Sequence, residues 1–252
     1  MTDRPALVID NVTKNFAGVR AVDSVSLTLD TGNSTVMIGP NGAGKTTLFN
    51  LITGALPLDG GRIQLFGEDV SARPVQARSA LGMSRTYQTC NLFAQLTVEQ
   101  NLYLALKDSP WRNSRKGMEA LLPWRGNRRR LERIDEVLAL IQLEPLRHTQ
   151  ILNMSHGEQR QLELGMALAP EPKVILFDEP MAGLSATERV FIGALIKRLA
   201  QEKIIFVIEH DIDFALSLTN RVAVMDHGKL VALGTPEEIR ASEAVQRIYR
   251  MD

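Results

Sequence analysis

The sequence predicts an α/β fold with a parallel sheet at its core and a helical domain inserted into that core. Short apolar runs with strand character occur in both the N-terminal and the C-terminal parts of the chain, interspersed with helical segments. From about residue 97 to residue 168 the apolar residues follow a helical period, with hardly any strand signal. Because alternating strands and helices are typical of a parallel sheet, we expect residues 1–88 and 169–252 to form one α/β core and residues 89–168 an inserted helical subdomain.

The individual elements are predicted from the spacing of apolar residues. In the N-terminal part, strands are expected over residues 6–9, 25–29, 34–38 and 62–66, and a helix over residues 45–53. The inserted segment contributes helices over residues 98–106, 131–143 and 158–168. The C-terminal part contributes strands over residues 174–177, 204–208 and 221–225 and helices over residues 186–200 and 212–218.

Turn-forming residues predict a hairpin and then a helix near the C-terminal end of the sequence. His227 and Gly228 separate two strand-like runs, which indicates a hairpin. Pro236 is then expected to open a terminal helix, because proline is favoured at the first helical position.

The charge balance argues against partners that bind through bulk electrostatics. The 252 residues contain 29 Lys and Arg against 29 Asp and Glu, so the formal net charge is +0, and nucleic acid is not expected as a partner. The single cysteine, Cys90, excludes a disulfide framework and a cysteine-cluster metal site. Neither a signal peptide nor a run of roughly 18 apolar residues is present. We therefore expect a cytoplasmic chain that reaches a membrane only through another subunit.

A phosphate-binding loop is predicted between the third strand and the first helix. Residues 39–46 read Gly-Pro-Asn-Gly-Ala-Gly-Lys-Thr, which fits G-x-x-x-x-G-K-[ST] in the strand, loop and helix context that this motif requires. Backbone N–H groups would cradle the phosphates, Lys45 would reach the β and γ oxygens, and the Thr46 hydroxyl would ligate Mg²⁺. The alternative is a Gly-rich turn with an exposed lysine. The residues expected to contact ATP are Gly39, Asn41, Gly42, Ala43, Gly44, Lys45, Thr46 and Thr47.

A pair of acidic residues follows the buried strand predicted over residues 174–177. Asp178 and Glu179 would emerge together at the C-terminal edge of the sheet, where α/β folds bind ligands. Asp178 is expected to hold Mg²⁺, and Glu179 to orient and polarise the water that attacks the γ-phosphate. A solvated turn is the alternative for an isolated Asp-Glu pair, but a phosphate-binding loop in the same chain favours the metal and base roles.

Taken in order, these motifs resemble those of the ATP-binding subunits of ABC transporters, over essentially the whole chain. A third segment, residues 154–159, reads Met-Ser-His-Gly-Glu-Gln and resembles the family signature Leu-Ser-Gly-Gly-Gln, from which Met154 and His156 depart. The resemblance implies a P-loop NTPase with a RecA-like core, an N-terminal antiparallel β subdomain and an inserted α-helical lobe. It also implies ATP and Mg²⁺ as cofactors and ATP hydrolysis as the activity.

The signature segment also has a physical interpretation. Ser155 and the Gly157 N–H are placed to cap a helix whose positive end faces an anion. The resemblance implies that this anion is the γ-phosphate of ATP on another protomer, so that Ser155, Gly157 and Gln159 contact the nucleotide across a head-to-tail dimer. His156 is expected to be tolerated, because Ser155 and Gly157 are retained. An ordinary helix cap is the alternative for this pattern taken alone.

Further residues are assigned through the resemblance. Gln88, at the junction of core and helical lobe, is similar to the glutamine that contacts Mg²⁺ and the attacking water. His210 matches the switch histidine that bridges the γ-phosphate and Glu179, and Phe16 stands where the family stacks an aromatic ring on adenine. Ser185 stands at the position of an aspartate that couples the protomers, which leaves this coupling open. The expected catalytic residues are thus Lys45, Gln88, Glu179 and His210.

Within the family, the segments 88–93, 96–102, 182–184 and 209–211 resemble those of the ATPases of branched-chain amino-acid importers. Urea and amide importers share this resemblance. Residues 112–133 carry eight Arg or Lys against two acids; Trp111 directly precedes this segment and Trp124 lies within it. A solvated helix face or membrane proximity is preferred for this basic segment over nucleic-acid binding.

We therefore predict the ATP-hydrolysing subunit of an importer, held at the inner face of the cell membrane by its partners. These partners are two multi-span membrane permease subunits, a second ATPase subunit that is identical or homologous and, indirectly, a periplasmic or extracellular solute-binding protein. ABC ATPases of lipopolysaccharide export and soluble non-transport ABC ATPases are the alternatives. A P-loop kinase shares residues 39–46 but has no use for the signature segment.

Overall fold

A computed structural model describes residues 6–32, 34–86, 92–106 and 127–249. These residues divide into two compact units. The core unit comprises residues 6–86, 173–182 and 189–249, and the helical unit comprises residues 92–106, 127–172 and 183–188. The chain thus returns to the core at residue 173 rather than at the predicted residue 169. The segment 183–188 groups with the helical unit, which no local sequence pattern indicated.

The strands of the described residues all belong to the core unit. They are β1 (Leu7–Phe16), β2 (Val19–Leu29), β3 (Ser34–Ile38), β4 (Gly60–Leu65), β5 (Glu68–Asp69), β6 (Met83–Arg85), β7 (Val174–Asp178), β8 (Ile204–Ile208), β9 (Arg221–Asp226) and β10 (Lys229–Gly234). The helices are α1 (Lys45–Thr53), α2 (Val75–Ala80), α3 (Val98–Ala105), α4 (Arg128–Ile141), α5 (His156–Leu168), α6 (Ala186–Leu199), α7 (Ile212–Leu218), α8 (Pro236–Ala241) and α9 (Glu243–Tyr249).

The core unit contains two sheets. The first is antiparallel, with strand order β2-β1-β4-β5, and the second has the order β10-β9-β3-β8-β7-β6, in which only the β10–β9 pair is antiparallel. Every residue of β3, β7 and β8 is buried, as expected for parallel strands covered on both faces. One apolar cluster joins the antiparallel sheet, the buried face of α1 and the parallel sheet. The phosphate-loop helix is therefore packed into the core.

The hairpin between β9 and β10 forms where the sequence predicts it. Asp226 pairs with Lys229, and the two residues between them have positive φ angles, 44° for His227 and 80° for Gly228. Positive φ at both central residues is the conformation that matches the twist of a two-residue hairpin. Pro236 opens α8 as predicted, and a second short helix, α9, follows it.

Capping side chains decide where the helices of the helical unit begin. The Asn127 side chain accepts a hydrogen bond from the Arg130 N–H, so α4 starts at Arg128, three residues before the predicted start. Ser155 and Glu158 form a capping box, so α5 starts at His156 rather than at residue 158. The apolar period thus located these helices, and the polar caps set their first residues.

Three short elements of the core unit, β5, α2 and β6, have no counterpart in the predicted strands and helices. They contain two, six and three residues, which is too short for an apolar period to be recognised. The buried residue of α2 is an arginine, Arg78, whereas the apolar pattern looks for aliphatic side chains. Strand β6 nevertheless matters, because it lies beside β7 at the edge of the parallel sheet.

Candidate active site

The loop between β3 and α1 depends on two glycines that approach the main chain of neighbouring segments. Gly39 has a φ of 154°, and a Cβ atom placed on it would lie 2.1 Å from the Met225 carbonyl oxygen. Gly44 has a φ of 99°, and a Cβ atom there would lie 2.1 Å from the Ala21 carbonyl oxygen. A side chain at either position would collide with main chain that cannot swing aside, so the path of the loop requires glycine here.

The N-terminus of α1 has the openness that a phosphate site needs. None of the described side chains caps this helix. Asn41, Gly42 and Thr46 are exposed, whereas Ala43 is buried. Uncapped N–H groups and the helix dipole together favour an anion at such a terminus.

The Lys45 side chain is buried and curls over the loop that precedes it. Its Nζ atom donates to the Gly39 carbonyl oxygen at 2.6 Å and to the Pro40 carbonyl oxygen at 2.9 Å. Burial lowers the pKa of Lys45, and the negative charges of Glu179 and Asp178 oppose that shift. The ammonium group therefore lies within electrostatic reach of both carboxylates that follow β7.

Asp178, the last residue of β7, is 1% exposed and is held by a buried arginine. Arg85, at the end of β6, donates through Nη2 to Asp178 Oδ2 at 2.6 Å and through Nη1 to the Asn50 side chain of α1. The Asp178 N–H donates to the Thr86 hydroxyl at 3.2 Å. Burying a carboxylate is costly unless a positive charge is paired with it. Arg85 supplies that charge, and the sequence analysis did not identify it.

Glu179 and His210 are brought together by the neighbouring strands β7 and β8. The Glu179 N–H donates to the carbonyl oxygen of Ile208, the last residue of β8, at 3.0 Å. His210 Nδ1 lies 3.9 Å from Glu179 Oε2. Both side chains reach solvent, with 27% of Glu179 and 57% of His210 exposed. An accessible carboxylate beside an imidazole is suited to orienting a water molecule and to holding a phosphate oxygen.

The predicted signature residues lie at the start of α5, in the helical unit. The Ser155 hydroxyl accepts from the Glu158 N–H at 3.3 Å and is exposed. Gly157 is buried, and a Cβ atom on it would lie 1.5 Å from Glu188 Oε1. The Gln159 amide donates to the carbonyl oxygens of Ile151 and Met154, at 3.3 and 3.1 Å. Gln159 thus stabilises the turn before α5 through its own chain.

Comparison with known proteins decides the family. The family described as "ABC transporter" matches residues 22–182, which is more than half of the chain. The chain belongs to the ABC transporter family. It is 34% identical, over 244 residues and 96% of both chains, to the lipopolysaccharide export system ATP-binding protein LptB of Escherichia coli (strain K12). It is 35% identical, over 253 residues and 98% of both chains, to the high-affinity branched-chain amino acid transport ATP-binding protein BraF of Pseudomonas aeruginosa.

The structural comparison agrees with this membership. The ADP conformation of MJ1267, an ATP-binding cassette of an ABC transporter, matches with a TM-score of 0.85 and 28% identity, covering 99% of this chain and 100% of that chain. The predicted fold class and the predicted family are therefore confirmed. As an ATP-binding subunit of an ABC transporter, the chain binds and hydrolyses ATP, works with membrane permease subunits and dimerises. Among the described residues, no helix is both long and apolar enough to cross a membrane.

The two departures from the ABC signature and coupling loop, His156 and Ser185, lie in one cluster of the helical unit. The Ser185 N–H and hydroxyl both donate to Glu188 Oε2, at 2.8 and 2.7 Å. These hydrogen bonds from Ser185, assisted by the nearby His156, lower the pKa of Glu188. His156 Cε1 would lie 3.0 Å from a Cβ atom on Gly183. Ser185 Oγ also accepts from the Glu188 N–H at 3.4 Å, so Ser185 caps the start of α6. An aspartate in its place could accept that bond but could not donate a hydroxyl to Glu188.

We expect His156 to be tolerant of substitution and Gly157 to be sensitive. His156→Gly removes only an exposed imidazole and should change the free energy of unfolding by less than about 1 kcal/mol. Gly157→Ala forces the Glu188 carboxylate away from Ser185 and should cost about 1 kcal/mol or more, the usual value of a lost cap. Urea denaturation of both variants measures this. Equal losses of unfolding free energy in the two variants would contradict the conclusion that Gly157, and not His156, is needed for the contact between Glu188 and Ser185.

The remaining predicted site residues are placed as follows. Phe16, at the end of β1, has 43% of its surface exposed, and Lys14 Nζ lies 5.6 Å from the centre of its ring. Thr47 lies in the first turn of α1 and is partly exposed. Gln88, Trp111 and the part of the basic segment that contains Trp124 lie outside the described residues.

The donor set at the sheet edge fits Mg²⁺. Thr46 offers a hydroxyl in the first turn of α1, and Asp178 offers a buried carboxylate at the end of β7. Hard cations of this kind take oxygen ligands, and Mg²⁺ takes few of them from the protein because water and phosphates supply the rest. Within the described ranges, no cluster of three or more His, Cys, Asp or Glu suited to a metal occurs.

Proposed function

We propose that this chain is the ATP-hydrolysing subunit of an importer for branched-chain amino acids or related small solutes. The observation that carries the hydrolytic part of the proposal is the group of charges at one edge of the parallel sheet: Lys45 lies within electrostatic reach of Asp178 and Glu179, and Glu179 lies beside His210. A cation, two carboxylates and an imidazole suit phosphoryl transfer to water, because catalysis of that reaction depends on positioning and charge stabilisation.

ATP would bind with its phosphates on residues 39–47 and its adenine on Phe16. The loop N–H groups and the positive end of α1 favour the phosphate charge, and Lys45 is placed to move from the loop carbonyls to the β and γ oxygens. The Phe16 ring is exposed at the end of β1 and so offers a stacking surface. Thr46, Asp178 and Gln88 are the residues that would hold Mg²⁺, which supplies charge screening for the β- and γ-phosphates.

Hydrolysis would use the carboxylate and the imidazole at the ends of β7 and β8. Glu179 accepts a hydrogen bond from the attacking water and polarises it. As the water oxygen bonds to the γ-phosphorus, the bond to the bridging oxygen of ADP breaks, and the proton of the water passes by way of Glu179 to the released phosphate. His210 holds the γ-phosphate next to Glu179, Gln88 helps to position the water, and Lys45 stabilises the charge on the leaving ADP.

Lys45→Ala is expected to weaken nucleotide binding without disturbing the fold. Hydrogen bonds to charged groups contribute about 1.5–3 kcal/mol, which corresponds to a roughly 10- to 150-fold higher Kd for ATP. The measurement is a fluorescence titration with ATP at pH 7.5. Lys197→Ala removes an exposed lysine from α6 and serves as the matched control. Unchanged affinity in Lys45→Ala would refute the role of Lys45.

A second ATPase subunit would complete each nucleotide site. Ser155, Gly157 and Gln159 at the start of α5 are proposed to face the γ-phosphate on the partner in a head-to-tail dimer. The exposed Ser155 hydroxyl and the N-terminus of a 13-residue helix suit an anion. Closing and reopening of this dimer would drive two membrane permease subunits, which hold the chain at the inner face of the membrane.

The solute class is proposed from the branched-chain amino acid relatives, BraF and LivG, whose sequences align over 98% of this chain. Lipopolysaccharide export is the second candidate, because LptB is as similar at 34% identity. The two functions require different partners. An amino-acid importer requires a solute-binding protein outside the membrane in addition to its permease subunits.

The deciding experiment is to purify the complex that contains this chain. A tagged Glu179→Gln chain is held in the closed dimer with ATP, extracted from membranes in mild detergent and analysed for copurifying proteins. We expect multi-span permease subunits and an ATPase partner. In reconstituted vesicles, leucine with its binding protein should stimulate ATP hydrolysis by the parent complex. Stimulation by lipopolysaccharide alone would favour the second candidate, and soluble or nucleic-acid partners alone would refute transport.

A further inference from the structure

Glu209 is a buried carboxylic acid that no step of the proposed hydrolysis uses. It follows β8, lies between Ile208 and His210, and has no exposed surface. Its backbone N–H donates to the Met37 carbonyl oxygen of β3 at 3.1 Å. Since β3 leads directly into the phosphate loop, the backbone of Glu209 is fixed to the strand that carries the nucleotide site. A carboxyl group buried this completely requires a reason, because burial penalises ionisation.

The two carboxyl oxygens of Glu209 face two different parts of the hydrolytic site. Oε1 accepts a hydrogen bond from the Met181 N–H at 3.2 Å, within the loop that follows Glu179. Oε2 has no hydrogen-bond partner among the residues that the structure describes, and it lies 3.9 Å from His210 Nδ1. His210 Nδ1 is also 3.9 Å from Glu179 Oε2. The imidazole therefore lies between an accessible carboxylate and a buried one.

The backbone conformation of Glu179 depends on hydrogen bonds from its surroundings, and Glu209 makes one of them. Glu179 has a φ of 49°, a left-handed conformation that a residue with a side chain adopts only when the surroundings hold it. Three hydrogen bonds do so: Glu179 N–H to Ile208 O, Ala182 N–H to Glu179 O, and Met181 N–H to Glu209 Oε1. Glu209 contributes the one bond among these that a side chain makes.

We propose that Glu209 is a positioning residue for ATP hydrolysis, whose buried carboxyl fixes the loop after Glu179 through the Met181 N–H and packs against the His210 imidazole, so that Glu179 and His210 keep their relative positions. This inference rests on the proposed function, because Glu179 and His210 are its hydrolytic pair. The hydrogen bonds given above for Glu209 join it to Met37 and Met181 and not to residues 39–47, so its effect should fall on the chemical step and leave nucleotide affinity in place.

The protonation of Glu209 supplies a second readout. Burial, and to a smaller extent the charges of Glu179 and Asp211, raise the pKa of Glu209 to about 7, against the opposing effect of hydrogen bonds from the Met181 and His210 N–H groups. The titratable groups facing it are Glu179 from the segment after β7 and His210 and Asp211 from its own segment, while β3 contributes the Met37 carbonyl. The ionised form is the stronger hydrogen-bond acceptor, so turnover should rise as pH increases through about 7.

The test compares Glu209→Ala and Glu209→Gln with the parent chain in ATP hydrolysis and in hydrogen exchange. Glu209→Ala should lower kcat by about 10- to 100-fold, as expected for a misaligned group, with KM for ATP retained. The Met181 amide should lose its protection from exchange. Glu209→Gln keeps an oxygen for the Met181 N–H and should restore most of the kcat and the protection. The kcat of Glu209→Gln should not rise with pH near 7, because glutamine cannot ionise.

Controls separate this inference from a general loss of stability and from the proposed function. Glu99→Ala removes a carboxyl of similar burial from the helical unit, at 3% exposure, and should leave kcat and the Met181 amide as in the parent. A parent-like kcat in Glu209→Ala, or a Gln variant as impaired as the Ala variant, would overturn the positioning role. A parent chain that hydrolyses no ATP in its purified complex would overturn the proposed function, and the inference with it.

Discussion

Replacing Glu179 by Gln is expected to lower ATP turnover by about 10²- to 10⁴-fold, the range typical of a lost general base. Glutamine has the size and shape of glutamate but no negative charge to polarise the attacking water. Nucleotide affinity should be retained, because the phosphates are held by residues 39–47 and not by the acid after β7. Single-turnover hydrolysis and equilibrium ATP binding, measured on the same preparation, test both parts.

Two details of the structure sharpen this prediction for Glu179→Gln. The left-handed backbone at Glu179 is held by hydrogen bonds from neighbouring segments, so an isosteric side chain leaves it in place. Glu202→Gln, an exposed glutamate after α6, is the matched control and should hydrolyse ATP at the parental rate. Undiminished turnover in Glu179→Gln would show that the base is another group.

Arg78→Met is expected to lower the free energy of unfolding by about 3–5 kcal/mol, because several buried carbonyl groups lose a charged hydrogen-bond donor and each such loss costs about 1–3 kcal/mol. Arg78 is 1% exposed. Its guanidinium donates to four carbonyl oxygens, those of Leu51 at 2.7 Å, Ile52 at 2.6 Å, Ser71 at 3.0 Å and Arg73 at 2.9 Å. Methionine fills the volume and donates no hydrogen bonds, so these carbonyls would be left buried without this donor.

The location of Arg78 makes this prediction relevant to the nucleotide site. Leu51 and Ile52 form the last turn of α1, so Arg78 binds the end of the helix whose other end forms the phosphate loop. Burial lowers the pKa of Arg78 to about 10, which still leaves it protonated at neutral pH. Urea denaturation at pH 7 measures the loss, and Arg73→Met, at a partly exposed arginine paired with Glu68, should cost less than about 1 kcal/mol. Equal losses would contradict the capping role.

The phosphate loop and the acid pair were predictable because their chemistry is contiguous in sequence. Residues 39–46 combine the glycines, Lys45 and Thr46 in one strand, loop and helix unit, and the predicted helix over residues 45–53 is the observed α1. The apolar strand that delivers Asp178 and Glu179 is equally local. In each case, adjacent residues carry both the structural signal and the chemical groups.

The residues that support this site were not predictable in the same way. Arg85 and Asp178 are 93 positions apart, and Glu209 and Met181 are 28 apart. Arg78 lies in a six-residue helix that lacks an apolar face. No period or spacing links such pairs, because their contact depends on the order β3-β8-β7-β6 in the sheet.

The sequence by itself determined the family, the phosphate loop, the acidic pair and most helices and strands of the core, since each depends on short-range patterns of apolar and polar residues. The tertiary structure alone decided which buried groups hold the site in place: Arg85 on Asp178, Arg78 on α1 and Glu209 on the loop after Glu179. The physical reason is that a buried polar group must find its partner wherever the fold brings one. That partner is determined by strand order and packing, and proximity along the chain does not decide it.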